Sequence, residues 1–337
     1  NRPIFQPLQR LGLRYFAKRR KRLDEYDHFD RPLSAKSWKR LRFEGNFFEH
    51  SFQDMSPGEV SHTVFFASKM DVENEAFWIR ASLAVGDLAG AMTCRQLTEA
   101  CWAFGASKWH DAALVKALAS PIMTKAPEMK ASHVSTAAQA FARMKVRHVP
   151  VLQALSQASQ NALASGRLNG KGLAMIAKAF AELEFYCTGF LTSMDTWASS
   201  GVANTRLDVC LDLFHSLSLL ASIPKTSPYP YPMASRDTST IGVKGAAMEL
   251  AEILALKVKE LEATQLHTVA LSMGKLRIDD VNVIRAFQKE VLADLSSLHT
   301  NSLPPVLESF ALCFQALDVN GKDTDDSEIL QEREVFL

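Results

Sequence analysis

The sequence predicts an all-α fold: an α-solenoid of about seven helical hairpins, with a repeat of about 37 residues, following an extended basic N-terminal arm. Three observations predict it. One five-position apolar stripe recurs along the chain at helical spacing. Each copy leads through a short polar turn into a second apolar-periodic stretch, as at 149–163, 243–256 and 281–295. The first 43 residues lack the stripe and hold thirteen Lys/Arg against four Asp/Glu. That net +9 leaves −8 on the other 294 residues of a chain whose formal charge is only +1. With 337 residues, 47% of them hydrophobic, the chain can bury a large core, which excludes low-complexity disorder and small disulfide scaffolds. No apolar run approaches the roughly 18–20 residues of a membrane-spanning helix.

The arm, residues 1–51, comes first. It interleaves cations with rings in RYFAKRRKR (14–22) and KSWKRLRFEGNFF (36–48). Cations neutralise phosphates and release counterions, while aromatic faces and guanidinium planes stack on unpaired bases. The expected RNA-binding residues are Arg10, Arg14, Tyr15, Lys18, Arg19, Arg20, Lys21, Arg22, Lys36, Trp38, Lys39, Arg40 and Arg42. Two other partners fit the composition: an acidic protein, or anionic lipid met by the ragged amphipathic stripe Leu8, Leu11, Tyr15, Leu23 and Tyr26. A solvated charge run with no partner is a third reading, which the many rings disfavour. The chain starts at Asn1 rather than Met, and a cleaved targeting peptide is one explanation.

The repeat array, residues 52–320, is visible in CWAFG (101–105), AQAFA (138–142) and AKAFA (177–181). Around the central Phe, apolar residues recur at offsets −7, −4, −3, 0 and +3, which is one face of a helix. Val134, Ala137, Ala138, Phe141 and Met144 make one copy; Leu173, Ile176, Ala177, Phe180 and Leu183 make the next. The anchors of all copies are Ala67, Phe104, Phe141, Phe180, Leu217, Met273 and Phe314. Six copies add an apolar residue at +5: Val72, Trp109, Val146, Phe185, Ile278 and Val319. Ser56-Pro57-Gly58-Glu59 reads as a capping box with proline at the first helical position. A lone hairpin cannot bury both faces, so hairpins must stack.

The widest anchor spacing holds an insertion, 223–240, with Pro224, Pro228, Pro230 and Pro232. Alternating proline and tyrosine favours an extended loop, in which Tyr229 and Tyr231 are candidate partner-docking residues; a tolerated surface insertion is the plainer reading. The acidic tail, 321–337, closes the chain; from Asp318 on, seven acids face two bases.

The AFARM (140–144) and AFAEL (179–183) ends of the first helices, on a unit of about 37 residues, resemble the heptatricopeptide and octotricopeptide repeats. These occur in organellar RNA-associated proteins, including FAST-kinase-like proteins with a C-terminal RAP domain. The resemblance covers residue 52 to about residue 320. It implies a helical array acting in a mitochondrion, or alternatively a plastid, on transcripts, on rRNA or as a ribosomal subunit. The PPPEW-type octotricopeptide signature is absent, Pro304-Pro305 being its nearest echo, and residues 321–337, after the last repeat, are too few to be a RAP domain. Arms of this composition are typical of ribosomal subunits, which hold rRNA by tails.

Could the repeats read RNA themselves? A single-base code needs chosen side chains at one position per repeat. Offset −2 presents Phe65, Trp102, Gln139, Lys178, His215, Leu271 and Leu312, too apolar for a polar code, so the repeats are expected to contact proteins. Motifs for chemistry fail. Gly166 to Gly172 lacks nucleotide-loop spacing and a Ser/Thr after Lys171, there is no HExxH, and Cys210 and His215 are five apart, off a shared helix face. Asp279-Asp280 and Asp325-Asp326 read as helix N-terminal charges. Five cysteines, an odd number without CxxC, fit a reducing compartment. The sequence therefore points away from an enzyme, a cofactor, a bound metal or a small-molecule substrate. It points to a structural subunit of a mitochondrial (matrix) ribonucleoprotein, foremost the mitochondrial ribosome, with the arm on rRNA and the repeats on neighbouring proteins. An RNA-processing or stability factor gripping transcripts through its repeats, and a protein scaffold of an organellar membrane complex without RNA, are the alternatives.

Overall fold

A computed structural model describes residues 52–107, 109, 112–202, 205–223, 241–293 and 303–319. The arm, the prolines and tyrosines of the insertion, and the acidic tail lie outside these residues. Among the described residues there are thirteen α-helices and no strand, so the described fold is all-α. They are α1 (Pro57–Lys69), α2 (Glu75–Leu88), α3 (Cys94–Ser107), α4 (Ala112–Lys125), α5 (Ala131–Arg143), α6 (Val149–Ala164) and α7 (Gly170–Glu182). There follow α8 (Thr188–Gly201), α9 (Leu207–Ala221), α10 (Ile241–Leu256), α11 (Ala263–Leu276), α12 (Val281–Ala293) and α13 (Leu303–Val319). Every anchor residue falls on an odd-numbered helix and is buried, while the second apolar stretches coincide with α6, α10 and α12. No described helix is long and apolar enough to cross a membrane.

The chain divides into two compact units, Asn1–Leu118 and Ala119–Leu337. In the first, α1 packs on both α2 and α3. Helix α1 starts as its sequence dictates: Ser56 and Glu59 form a reciprocal capping box and Pro57 supplies a preset φ. Its buried stripe of Val60, Val64 and Ala67 meets an aromatic core in which the Trp78 ring lies edge-on to Phe104 at 5.4 Å. The indole N–H of Trp78 donates to the Val72 carbonyl at 2.7 Å, so the ring is buried with its one polar atom satisfied. Between α1 and α3, Ser61 donates to the Gln96 carbonyl and to the Glu99 carboxylate, and Arg95 pairs with Glu99 at 2.8 Å. A buried carboxylate is tolerable only with such partners.

In the second unit, α5 packs on α7, α7 on α9, α9 on α11 and α11 on α13. The even-numbered helices repeat the pattern: α6 on α8, α8 on α10, α10 on α12. What lets the odd helices approach is the size of the residues flanking each anchor. Offset −1 carries Ala140, Ala179, Ser216, Ser272 and Cys313, and offset +1 carries Ala142, Ala181, Ser218 and Gly274, all buried. At 100° per residue these positions are the two flanks of the helix, and small flanks permit short interaxial distances. At Gly274 the approach is so close that a Cβ would sit 2.6 Å from the Cα of Ser309.

The apolar residue at +5 also has its cause. Four first helices end in the same cap: the residue at +4 is left-handed, with φ 53° at Asp71, 56° at Lys145, 49° at Glu184 and 50° at Arg277. The +5 N–H then donates to the anchor carbonyl, as Val146 to Phe141 at 3.0 Å and Phe185 to Phe180 at 2.8 Å, and the +4 N–H donates to the +1 carbonyl. This is the Schellman motif, which brings the +5 side chain back onto the anchor. The Phe180 and Phe185 rings lie 4.9 Å apart. None of the four left-handed residues is glycine, so each carries a steric cost. Lys145→Gly is expected to raise the urea midpoint, with a gain of about 0.5–1 kcal/mol after the unfolded-state entropy of glycine is set against the relieved strain.

Candidate functional site

Offset −2 lies about 160° from the anchor direction, on the side of each first helix facing away from its buried stripe. In the first unit this side holds an aromatic and cationic cluster. The Phe65 and Trp102 rings are 5.2 Å apart, and the Lys69 ammonium stands 4.2 Å from the centre of the Trp102 ring and 5.5 Å from that of Phe65. His62 stacks on Phe66 at 5.6 Å. Such cation–π contacts contribute about 0.5–1 kcal/mol at a surface. Trp102 is only 6% exposed. Its face is occupied by Phe65 and Lys69, which leaves little ring for stacking on a base.

In the second unit offset −2 is mixed, with Gln139, Lys178 and His215 polar and Leu271 and Leu312 apolar, and a polar cluster forms around Lys178 and His215. Lys178 of α7, Asp212 and His215 of α9, and Ser272 and Lys275 of α11 act on one another. Partial desolvation raises the pKa of the Asp212 carboxyl from its ordinary value; Lys178 and His215 oppose the shift and Asp208 adds to it. Burial lowers His215, helped by Lys275 and Lys178 and opposed by Asp212. His215 Nδ1 lies 3.5 Å from the Ser272 hydroxyl, but that hydroxyl donates to the Thr268 carbonyl at 2.8 Å and the serine is buried. The trio of Asp212, His215 and Ser272 thus has the composition of a catalytic triad, but its hydroxyl proton is committed to the helix backbone. Because the folded state lowers the His215 pKa, the neutral ring is the form that folding favours. The stability this contributes is full above the ordinary histidine pKa and is lost as pH falls through the depressed one. His215→Gln is expected to flatten the fall in thermal midpoint between roughly pH 7 and pH 5, measured against the unsubstituted chain.

The other sequence features resolve into helix chemistry. Gly166, at φ 65°, is the left-handed residue that ends α6, its N–H donating to the Leu163 carbonyl. The Asn169 side chain caps α7 by accepting from the Gly172 N–H at 2.9 Å. Asp280 caps α12 through the Val283 N–H at 3.0 Å, and Asp279 pairs with Lys244 of α10 at 2.7 Å. Cys101, Cys210 and Cys313 are buried free thiols, pushed up by desolvation to about 12, about 11 and about 12. Thiols so raised are not nucleophiles near neutral pH. Among the described residues no group of three or more His, Cys, Asp and Glu could hold a metal ion.

The sequence-predicted site residues lie elsewhere. Arg10, Arg14, Tyr15, Lys18, Arg19, Arg20, Lys21, Arg22, Lys36, Trp38, Lys39, Arg40 and Arg42 fall outside the described residues, as do Tyr229 and Tyr231. Periodicity did not single out the contacts that join non-adjacent helices and turns: Ser61 to Glu99, Lys244 to Asp279, and Arg147, whose Nε donates to the Leu183 carbonyl at 3.1 Å. The repeat alignment sets Gln139, Lys178 and His215 apart as the polar members of offset −2, but it carries no signal that Asp212, Ser272 and Lys275 lie beside them. Compared with protein-family models and with curated proteins, the chain finds no match.

Proposed function

We propose that the chain is a non-catalytic subunit of a mitochondrial ribonucleoprotein, foremost the mitochondrial ribosome, in which the basic arm holds rRNA and the helices hold neighbouring proteins. In this reading the helices form an α-solenoid of about seven hairpins, each odd-numbered helix opening a hairpin. The packing of odd on odd and even on even helices in the second unit supports that arrangement. The observation that carries the functional reading is the division of charge: +9 within the first 43 residues against −8 in the rest. A polyanion is held where cations outnumber acids, and the outward side of the first helices mixes Lys178 and Lys275 with Asp208 and Asp212. The mitochondrial assignment rests on the resemblance of the repeats to heptatricopeptide and octotricopeptide arrays.

Deleting residues 1–43 tests the proposal. RNA binding and co-sedimentation with ribosomes are expected to be lost while the helical circular dichroism and cooperative unfolding of the remainder persist. Undiminished RNA affinity after the deletion would favour a transcript-binding factor that uses its repeats. No RNA binding by the intact chain at low salt would favour a scaffold of a membrane complex.

A further inference from the structure

The even-numbered helices of the second unit differ sharply in charge. Helix α6 has no charged residue among its 16, and α8 has one, Asp195, among its 14. At the 22% charged content of the whole chain, thirty residues would hold between six and seven. Asp195 itself is half-buried, with its carboxylate against Gly245 of α10. The exposed residues of the two helices include Gln153, Gln157 and Asn161 on α6 and Thr192, Thr196 and Ser200 on α8. Each trio is spaced four residues apart, so it lines one side of its helix. The next even-numbered helix reverts to the ordinary pattern, with Glu249 and Glu252 exposed on α10. An exposed helix needs no such uniformity for solubility, which charge serves better.

Depletion of Lys, Glu and Asp is the compositional mark of a protein interface, and a surface without cations has nothing with which to hold a phosphate backbone. Gln, Asn, Thr and Ser offer donors and acceptors at little desolvation cost compared with ions. The area decides between occupants. Two helices of 16 and 14 residues are each about 20–24 Å long and, side by side at about 10 Å, present roughly 400–500 Å². A pair of such faces buries about 1,000 Å², short of the 1,200–2,000 Å² of a stable two-body interface. A second copy held by this face alone would dissociate. A neighbour in the same particle need not, because a second attachment raises its effective concentration.

We infer that the α6/α8 face docks a neighbouring protein that presents an uncharged polar surface, in a contact that is weak alone and becomes stable when the arm is also bound. The inference rests on the proposed function for that second attachment. The test places a photo-crosslinking benzoylphenylalanine in the full chain at Gln157, at Thr192 or, as a control, at Glu249, and irradiates the isolated native particle. Gln157 and Thr192 are expected to join one and the same protein and Glu249 not to. The double variant Gln157→Lys/Thr192→Lys, with two cations placed in the contact, is expected to lose that adduct from a crosslinker at Asn161 and to cut particle occupancy at least about tenfold. Adducts to RNA, to a second copy of this chain, or to nothing would overturn the inference, as would full occupancy by the double variant. RNA affinity of the purified double variant reads the arm separately: it should be unchanged, and loss of RNA binding by the unsubstituted chain marks failure of the proposed function instead.

Discussion

Phe180→Ala is expected to destabilise the second unit by about 3–5 kcal/mol, the range for emptying a buried phenylalanine site. The side chain is fully buried in the last turn of α7, with the Phe185 ring at 4.9 Å and the Phe190 ring at 5.1 Å. Its loss removes more than transfer free energy. The backbone carbonyl at 180, which accepts from Phe185 at 2.8 Å, remains in the variant, but the ring that the +5 side chain folds back onto is gone. Helix α7 packs on both α5 and α9, so a cavity there has neighbours on two sides that cannot collapse into it without shifting their own anchors. Lys178→Ala, two residues earlier on the exposed side of the same helix, should change stability by no more than about 0.5 kcal/mol. Urea unfolding of the two variants side by side measures the contrast. Equal effects would mean that the stripe does not define the core.

RNA affinity of the full chain should fall by roughly 10³–10⁵ between 50 and 200 mM salt, as expected for about 6–10 phosphate contacts. The arm carries enough cations for this in residues 14–22 alone, with Arg14, Lys18, Arg19, Arg20, Lys21 and Arg22. Counterion release makes the slope countable. Each phosphate contact on single-stranded RNA contributes about 0.7 to the logarithmic salt slope, so replacing Arg19, Arg20 and Arg22 by alanine should lower it by about 2. The same substitutions should leave the unfolding midpoint of the helices untouched. A slope near zero in the intact chain would contradict electrostatic binding by the arm, whatever the affinity.

The first helices were legible because their information is local. A stripe at −7, −4, −3, 0 and +3 fixes which face is buried, and the buried anchors from Ala67 to Phe314 follow from it. The capping box at Ser56 and the caps by Asn169 and Asp280 are likewise local, each joining residues three apart. The +5 residue was visible as a pattern, but its reason, the left-handed turn at +4, was not, because Asp71, Lys145, Glu184 and Arg277 share no side-chain chemistry. Small residues at −1 and +1 were equally present in the sequence, yet alanine there reads as helix propensity until neighbouring helices are known to lie on both flanks. Contacts such as Lys244 with Asp279 join residues 35 apart, and no periodicity reports which of several carboxylates a lysine meets. The unlike surfaces of the second unit emerged only when exposure was added to composition: the mixed charges at Lys178 and Asp212 on one side, the uncharged α6/α8 face on the other. The predicted site residues are marked by charge and aromatic interleaving, which are properties of composition and need no fold to be read.

In the proposed function nucleic acid meets the arm and protein meets the helices. Ultraviolet crosslinking of the native particle, followed by identification of the peptide attached to each nucleotide, tests it most directly. RNA adducts are predicted on peptides within residues 1–43, at the Arg14 to Arg22 cluster and around Trp38. Adducts concentrated instead on the first helices, at Lys178, Lys275 or Arg143, would make the repeats, and not the arm, the RNA-binding surface.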